Sequence, residues 1–415
     1  MASAALADVF RISEFRFIWF AEVLSIAGDQ LARVALAVLV YGRTGSASWA
    51  AGTYALTFLP AMLGGVLLSG LADRYRRREV MVAADLSRAA LVTVMAIPGL
   101  PLGLICVVLV LVVLLGSPFA AAQGALLPEI LPGDRYERGL AVRQVTSQAA
   151  QLVGFGTGGL LVAAVSPGPA LICDAVTFVL SGLLIRLGLV DRPPPDAGNA
   201  TAAADASVGG PRGVAAAMAR IAADPRRRAL VFLAWMIGWY VVPEALAAPY
   251  ADRFGAGPSA VGLLMAADPL GSILGVWLFV RFVPDRVRER AVGVLACCAG
   301  LPLVLCAFRP TIGITIALWA LSGMLSTAYL LQTQVSFVRA TPASERGRAV
   351  GVAASGIIAA QGVAVLIGGW LADLWEPATA VAVAGAVGSV LCLGGTVAWR
   401  SASRTRADTA PIRHT

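Results

Sequence analysis

The chain has no lysine: all 32 of its basic residues are arginine. With abundant alanine and glycine, that points to a GC-rich coding sequence and carries no chemistry. Histidine is almost absent too, the single copy being His414 in the tail, so any proton carrier in the body must be Asp or Glu. The six cysteines (Cys106, Cys173, Cys297, Cys298, Cys306 and Cys392) lie in apolar runs with no C-x-x-C pair. They read as small core residues rather than a metal or redox site, and no cofactor or metal is expected. There is no Walker-A loop, no H-E-x-x-H and no G-x-S-x-G, nor an extramembrane segment large enough for ATP hydrolysis, so an enzyme is not expected. Charge is scarce as well. Charged residues make up 13% of the chain, against about a quarter in soluble domains, which excludes an ordinary soluble fold.

What fills the chain is apolar: 58% of its 415 residues, with a mean hydropathy of +0.80. A spanning helix needs about 20 apolar residues. Runs divided by charged or Pro/Gly punctuation fall near 16–41, 49–72, 80–98, 102–126, 141–165, 168–190, 229–251, 258–282, 291–308, 311–335, 347–372 and 377–399. Arginine placement orients them, because excess Lys/Arg marks cytoplasmic segments. With both termini cytoplasmic, the external loops hold only Arg43, Arg253 and Arg309. The same bias explains the net charge of +8 without nucleic acid. The N-terminus lacks a signal-peptide cleavage pattern, so the first span is expected to be retained. Between the sixth and seventh runs the composition turns to Pro, Ala, Asp and Gly (Arg192 to Pro211), the signature of a disordered linker. Val214, Met218 and Ile221 then recur at helical spacing, as in a short interfacial helix.

A loop of one acid and four arginines, Ser69-Gly70-Leu71-Ala72-Asp73-Arg74-Tyr75-Arg76-Arg77-Arg78, separates the second and third runs. An internal repeat is also visible: Glu137-Arg138-Gly139 with Ala141-Val142 recurs 208 residues later as Glu345-Arg346-Gly347 with Ala349-Val350. The loop has a weaker echo at Asp285-Arg286-Val287-Arg288-Glu289-Arg290. Loop and repeat resemble the major facilitator superfamily, whose pattern here is G-x-L-a-D-R-x-G-R-R. Asp73, Arg74, Arg77 and Arg78 match it; Ser69 and Arg76 stand where it has glycines. Phe15-Arg16-Phe17 through Gly28-Asp29, Asp85-Leu86-Ser87-Arg88, Leu127-Pro128-Glu129 and Asp174 resemble the macrolide-efflux and enterobactin-exporter-like branch. The resemblance implies an all-α membrane protein of twelve transmembrane helices in two pseudo-twofold related six-helix bundles, both termini cytoplasmic. Its parts are expected at 1–190 (first bundle), 191–228 (linker with interfacial helix), 229–400 (second bundle) and 401–415 (disordered tail). It also implies a monomer. The loop has two readings, a cytoplasmic latch formed by Asp73, Arg74, Arg77, Arg78, Asp85 and Arg88, or a plain positive-inside cluster.

Ionised groups inside a span cost about 2.5–3.5 kcal/mol each near its centre, so they should face a cavity or a partner. Glu22, Asp29 and Arg33 are spaced by seven and four residues and share one helical stripe. Asp29 and Arg33 are expected to pair, as a substrate anchor, a switchable ion pair or a structural bridge. Glu244 and Asp268 have no basic residue within a helical turn in the membrane. A lone buried acid is cheapest uncharged, which suits a proton carrier; either one near an outer mouth would instead stay hydrated. Glu244, Asp268 and Asp29 are thus the proton-coupling candidates. Glu22, Asp29, Arg33, Trp239, Tyr240, Tyr329, Gln332 and Gln361 are the candidates for an amphipathic substrate cavity. The leading expectation is an inner-membrane secondary transporter exporting an amphipathic small molecule, a drug or natural product, in exchange for protons. A facilitator or importer of a metabolite on the same fold stays open, as does a non-transporting receptor.

Overall fold

The computed structural model describes residues 8–68, 70–193, 211–342 and 345–408. Ser69 of the arginine loop, positions 194–210 of the expected linker and the tail from 409, His414 included, lie outside the described residues.

The first helix, α1, runs Ser13–Thr44, about 48 Å at 1.5 Å per residue. Gly45 ends it in the left-handed conformation, φ 62°, which costs glycine nothing. The chain returns through three short helices, α2 (Ala47–Ala55), α3 (Leu59–Leu67) and α4 (Leu71–Arg74). The run expected to be continuous over 49–72 is therefore broken at Leu56–Phe58, where Pro60 in the first turn of α3 offers no N–H to extend the preceding helix. Next come α5 (Arg77–Met95), α6 (Leu102–Ile130), α7 (Asp134–Val165) and α8 (Pro167–Gly188).

The short α9 (Pro211–Ala223) opens the second half at the place expected for an interfacial helix. The stretch 229–251, expected to be one helix, is four pieces: α10 (Pro225–Trp235), a 3-10 turn (Met236–Tyr240), α11 (Val242–Ala245) and α12 (Ala247–Asp252). Pro243 and Pro249 remove two backbone donors there. Helices α13 (Pro258–Phe282), α14 (Asp285–Cys298), α15 (Leu301–Val304), α16 (Ile312–Ala340), α17 (Arg346–Leu374) and α18 (Pro377–Asp408) complete the chain. Among the described residues, ten stretches are long and apolar enough to cross a membrane. The two expected runs outside that set are the broken α2–α4 path and α5. The first is interrupted, and the second carries five charged residues from Arg77 to Arg88.

The halves meet along two seams, α7 against α13 and α2 against α17. In the first, a Cβ built on Gly159 would lie 2.7 Å from the Gly262 Cα, so backbone rests on backbone. In the second, a Cβ on Gly369 would collide with the Ala51 side chain. Without a hydrophobic drive between helices in lipid, small residues gain contact by letting backbones approach.

Candidate functional site

Two buried sets of charges and the seam between the halves make up the site. The first set lies inside the N-terminal half. Asp29 does not pair with Arg33, one turn away. Both of its oxygens accept from Arg88 Nη2 of α5, at 2.9 and 3.0 Å. Arg88 is 7% exposed, reaches Ser25 Oγ at 3.5 Å, lies 3.8 Å from Asp85 and stacks 4.0 Å from the centre of the Phe178 ring. Asp85 accepts from Ser181 at 2.6 Å, while its other oxygen is buried without a hydrogen-bond partner. Asp174, 1% exposed, accepts from the Thr177 hydroxyl at 3.3 Å. Gly28 allows this, since a Cβ there would collide with Thr177 Oγ1 and Asp174 Oδ1. Three carboxylates thus gather around one guanidinium. Asp29, Arg33, Arg88 and Asp174 also line a cavity of about 140 Å³.

Arg33 is free of Asp29 because aromatic rings take it: its guanidinium sits 5.5 Å from the Tyr54 centroid and 5.6 Å from that of Phe58. This leads to the seam. The Tyr54 hydroxyl, from α2, donates to Glu244 in α11, a bond from one half to the other. Glu244 is 9% exposed and sits in the broken stretch. There Gly238 lies so close to α17 that a Cβ would be 2.6 Å from the Ala360 carbonyl oxygen. Asp268 of α13 is within electrostatic range of Glu244 and beside Ser272. A Cβ on Gly323 would approach its carboxylate to 2.6 Å. Beyond Glu244, Tyr41 donates to Asp252 at 3.2 Å. Asp373, at the end of α17, accepts from Ser46 Oγ (2.8 Å), the Ala47 N–H (2.6 Å) and the Ser48 N–H (3.1 Å). An acid from the second half thereby satisfies the orphan donors that open α2 in the first. These cross-half bonds all lie on the face away from the described ends of the chain.

The opposite face is held by arginine pairs closed within each half. Arg77 donates to Glu129, Arg76 meets Asp191 at 2.5 Å and Arg78 meets it at 3.2 Å; Arg192 meets Glu14 at 2.8 Å. In the second half Arg226 reaches Glu289 at 2.8 Å, and Arg220 and Arg227 share Glu345 at 3.1 and 3.2 Å. The expected latch network divides accordingly. Arg77 and Arg78 stay at this face, with Asp73 half-buried and Arg74 exposed on α4. Asp85 and Arg88 lie about 10–17 Å further along α5 and join Asp29 instead.

Glu22 is taken by an arginine that the sequence places in a cytoplasmic segment. Arg143 of α7 grips it with two bonds, 2.6 and 2.7 Å, and donates to Gln123 of α6 at 2.7 Å. Tyr240 and Tyr329, expected at a cavity, are instead packed in the second half's core. The Tyr240 hydroxyl donates to the Ala296 carbonyl at 2.9 Å, and the two rings meet edge to face at 6.3 Å. The Tyr240 hydroxyl thus has the acceptor that a buried tyrosine usually finds, while that of Tyr329 is buried without a hydrogen-bond partner. Trp239 is half-buried against Gly388 of α18. Gln332 is buried near Ser336, 3.4 Å away, and Gln361 is half-buried where α17 meets Gly238. Tyr54, Arg143 and Asp174 were not among the expected site residues. Asp174 carries a sequence signal, a lone acid in an apolar run; Tyr54 has none.

Comparison with known proteins follows the same lines. The profile of the Major Facilitator Superfamily matches residues 18–244 and 228–413. The multidrug efflux pump Tap of Mycolicibacterium fortuitum is 27% identical over 375 residues, covering 86% of this chain and 88% of that one. Two relatives match in part, so that the chain spans less than half of their length. An uncharacterized MFS-type transporter of Bacillus subtilis, YkuC, is 27% identical over 43% of this chain and 42% of its own. Macrolide efflux protein A of Streptococcus pyogenes is 24% identical over 42% of this chain and 44% of its own. Among solved structures, a bacterial homolog of the human lysosomal transporter Spinster superposes with a TM-score of 0.70 at 14% identity, covering 96% of this chain and 98% of that one.

Proposed function

The chain belongs to the Major Facilitator Superfamily, a multi-pass membrane transporter, and from that premise we propose that it exports an amphipathic small molecule in exchange for protons. The efflux reading draws support from the relatives named as multidrug and macrolide efflux proteins. The arginine distribution supports cytoplasmic termini, and in that orientation the seam described above closes the outer face.

One observation carries the coupling: Tyr54 and Glu244 bond across the halves at the break in a span. With the seam closed, the tyrosine hydroxyl donates to the carboxylate while Arg33 lies behind the ring, and a hydrogen bond to a charged group is the stronger kind. The bond and the nearby Arg33 charge both favour the anion, against the burial that makes an acid cheapest uncharged. When the halves part on that face the acid loses both and takes a proton from outside. Closing the seam again expels the proton inward, and Asp268, in electrostatic range, competes for the same charge. Export of substrate in the alternate half-cycle follows from a difference in affinity between the two states.

The test uses everted vesicles loaded with an imposed pH gradient and ethidium as the transported probe, after drug susceptibility in a pump-deficient host has shown that it is carried. Glu244→Gln is expected to lose gradient-driven movement by more than tenfold while retaining gradient-independent exchange. Normal gradient-driven movement in both Glu244→Gln and Asp268→Asn would overturn the coupling. Movement indifferent to the gradient in the unaltered protein would leave a facilitator.

A further inference from the structure

We propose that the groove between the start of α10 and the end of α18 binds one glycerophospholipid with an anionic headgroup. The groove encloses about 880 Å³ and is lined at its polar end by Asp224, Arg226 and Arg228, and along its length by Phe232, Gly394 and Ala398. Its polar end coincides with the first residues of one spanning stretch and its length with the last turns of another, so it lies at the depth where a headgroup meets acyl chains. On the same helix Leu393 and Val397 are 56% and 61% exposed. In a spanning helix such apolar exposure faces lipid, and these two residues adjoin the groove-lining Gly394 and Ala398.

The charges favour an anion. Asp224 is already consumed: it caps α10 by accepting from the Arg226 and Arg227 N–H groups at 2.9 and 3.3 Å and pairs with the Arg227 guanidinium at 3.0 Å. Burial alone pushes its carboxyl up, but those bonds together hold it below the ordinary carboxylate range. Arg226 spends one terminal nitrogen on Glu289, while its Nε is buried without a hydrogen-bond partner. Arg228 is exposed and donates to the Ala222 carbonyl at 3.1 Å. The side chains of Arg226 and Arg228 both line this end of the groove, and basic pockets between spanning helices at the membrane face suit such headgroups.

The apolar length is carved by a missing side chain. A Cβ on Gly394 would meet nothing within 4 Å, whereas one on the next residue, Gly395, would lie 2.9 Å from Phe232 and Leu233. Gly395 brings α18 against α10, and Gly394 leaves the open channel that one acyl chain fills. The site uses none of the residues assigned to transport.

Native mass spectrometry of the purified full chain in detergent tests this, with palmitoyl-oleoyl phosphatidylglycerol, the matching phosphatidylcholine and glycerol phosphate as probes. The expected result is one retained phosphatidylglycerol, bound at least tenfold more tightly than phosphatidylcholine, with glycerol phosphate not competing. Arg228→Ala is expected to cost about fivefold in affinity, from about 1 kcal/mol per basic residue near an anionic surface. Gly394→Leu should abolish the tight adduct while its lipid-free melting matches the parent, because its side chain enters empty space. Unchanged binding in Gly394→Leu, indifference to headgroup charge, or equal competition by glycerol phosphate would each overturn the proposal. Binding should also be constant from pH 5 to 8, since the Asp224 carboxyl stays ionised throughout; a fall in affinity above pH 5 would contradict its assignment as a fixed cap.

Discussion

The two faces of this transporter are held together by different chemistry. On the face away from the termini, the halves are joined by a tyrosine–glutamate bond, a tyrosine–aspartate bond and one aspartate capping a helix of the other half. Beneath these bonds glycine backbones are in contact. On the terminal face the prominent interactions are arginine–carboxylate pairs, and those named above close inside a single half. A contact that must break in every cycle should be weak enough to exchange for water, and a few directed bonds over small residues meet that need. A contact that must move as part of a rigid body has no such limit. The comparison separates joints from braces, and substitutions in the two groups should fail differently.

The largest effect is expected at the glycine joint. Gly262→Leu sets a branched side chain against the Gly159 backbone, from which even a Cβ would be only 2.6 Å away. Overpacking costs about 1–3 kcal/mol, enough to move a seam equilibrium roughly 5- to 150-fold. Spin labels at Trp49 and Trp375, both exposed beside the other seam, that of α2 and α17, would read the opening of this face by double electron–electron resonance in a background freed of native cysteines. The long-distance population should dominate and transport should stop. A distance distribution like the parent's would show that the glycine contact is not a joint.

Asp373→Asn comes next. The amide keeps the shape but gives up the charge that three donors share. Hydrogen bonds to charged groups are worth about 1.5–3 kcal/mol, so the same labels should report about a tenfold loss of the closed form. Tyr54→Phe should follow at a few-fold. It removes the donor to Glu244 but keeps the ring beside Phe58, 5.5 Å between centroids, and beneath Arg33. Its sharper readout is the pH profile of transport, which should move if Tyr54 helps hold Glu244 charged and stay in place if the bond is only structural.

How much of this was legible beforehand differs between fold and site. Apolar runs punctuated by arginine gave most of the helices, because membrane thickness sets their length and charge asymmetry their order. The breaks were harder to read. Gly238, Pro243 and Pro249 stand in plain view within 229–251, but whether proline kinks or stops a span depends on neighbours that supply replacement bonds. The break at Leu56–Phe58 carries no mark except the following Pro60. In the site, the acids were readable as charges in apolar surroundings; their partners were not. Arg88 is 59 residues from Asp29, Arg143 is 121 from Glu22 and Tyr54 is 190 from Glu244. Such pairings depend on helix packing, which spacing along one helix does not encode. The single pairing that spacing did suggest, Asp29 with Arg33, fails because the rings of Tyr54 and Phe58 lie within reach of that guanidinium.

The smallest expected effect is the one that tests the braces. Arg76 and Asp191 touch at 2.5 Å, but their side chains are 50% and 31% exposed, and exposed pairs are worth about 0–1 kcal/mol. Arg78 reaches the same carboxylate at 3.2 Å, so the acid keeps a partner when Arg76 is removed. Arg76→Ala should therefore leave both the seam distances and the transport rate within about twofold of the parent, and lower the melting midpoint by no more than a degree or two. Arg77→Ala removes a less exposed side chain, 18% against 50%, that ties α5 to the end of α6. It should lower the melting midpoint further while still leaving the seam distances in place. If either substitution shifted the Trp49–Trp375 distances as Asp373→Asn does, the arginine loop would act across the halves, and the division into joints and braces would have to be redrawn with the loop on the side of the joints.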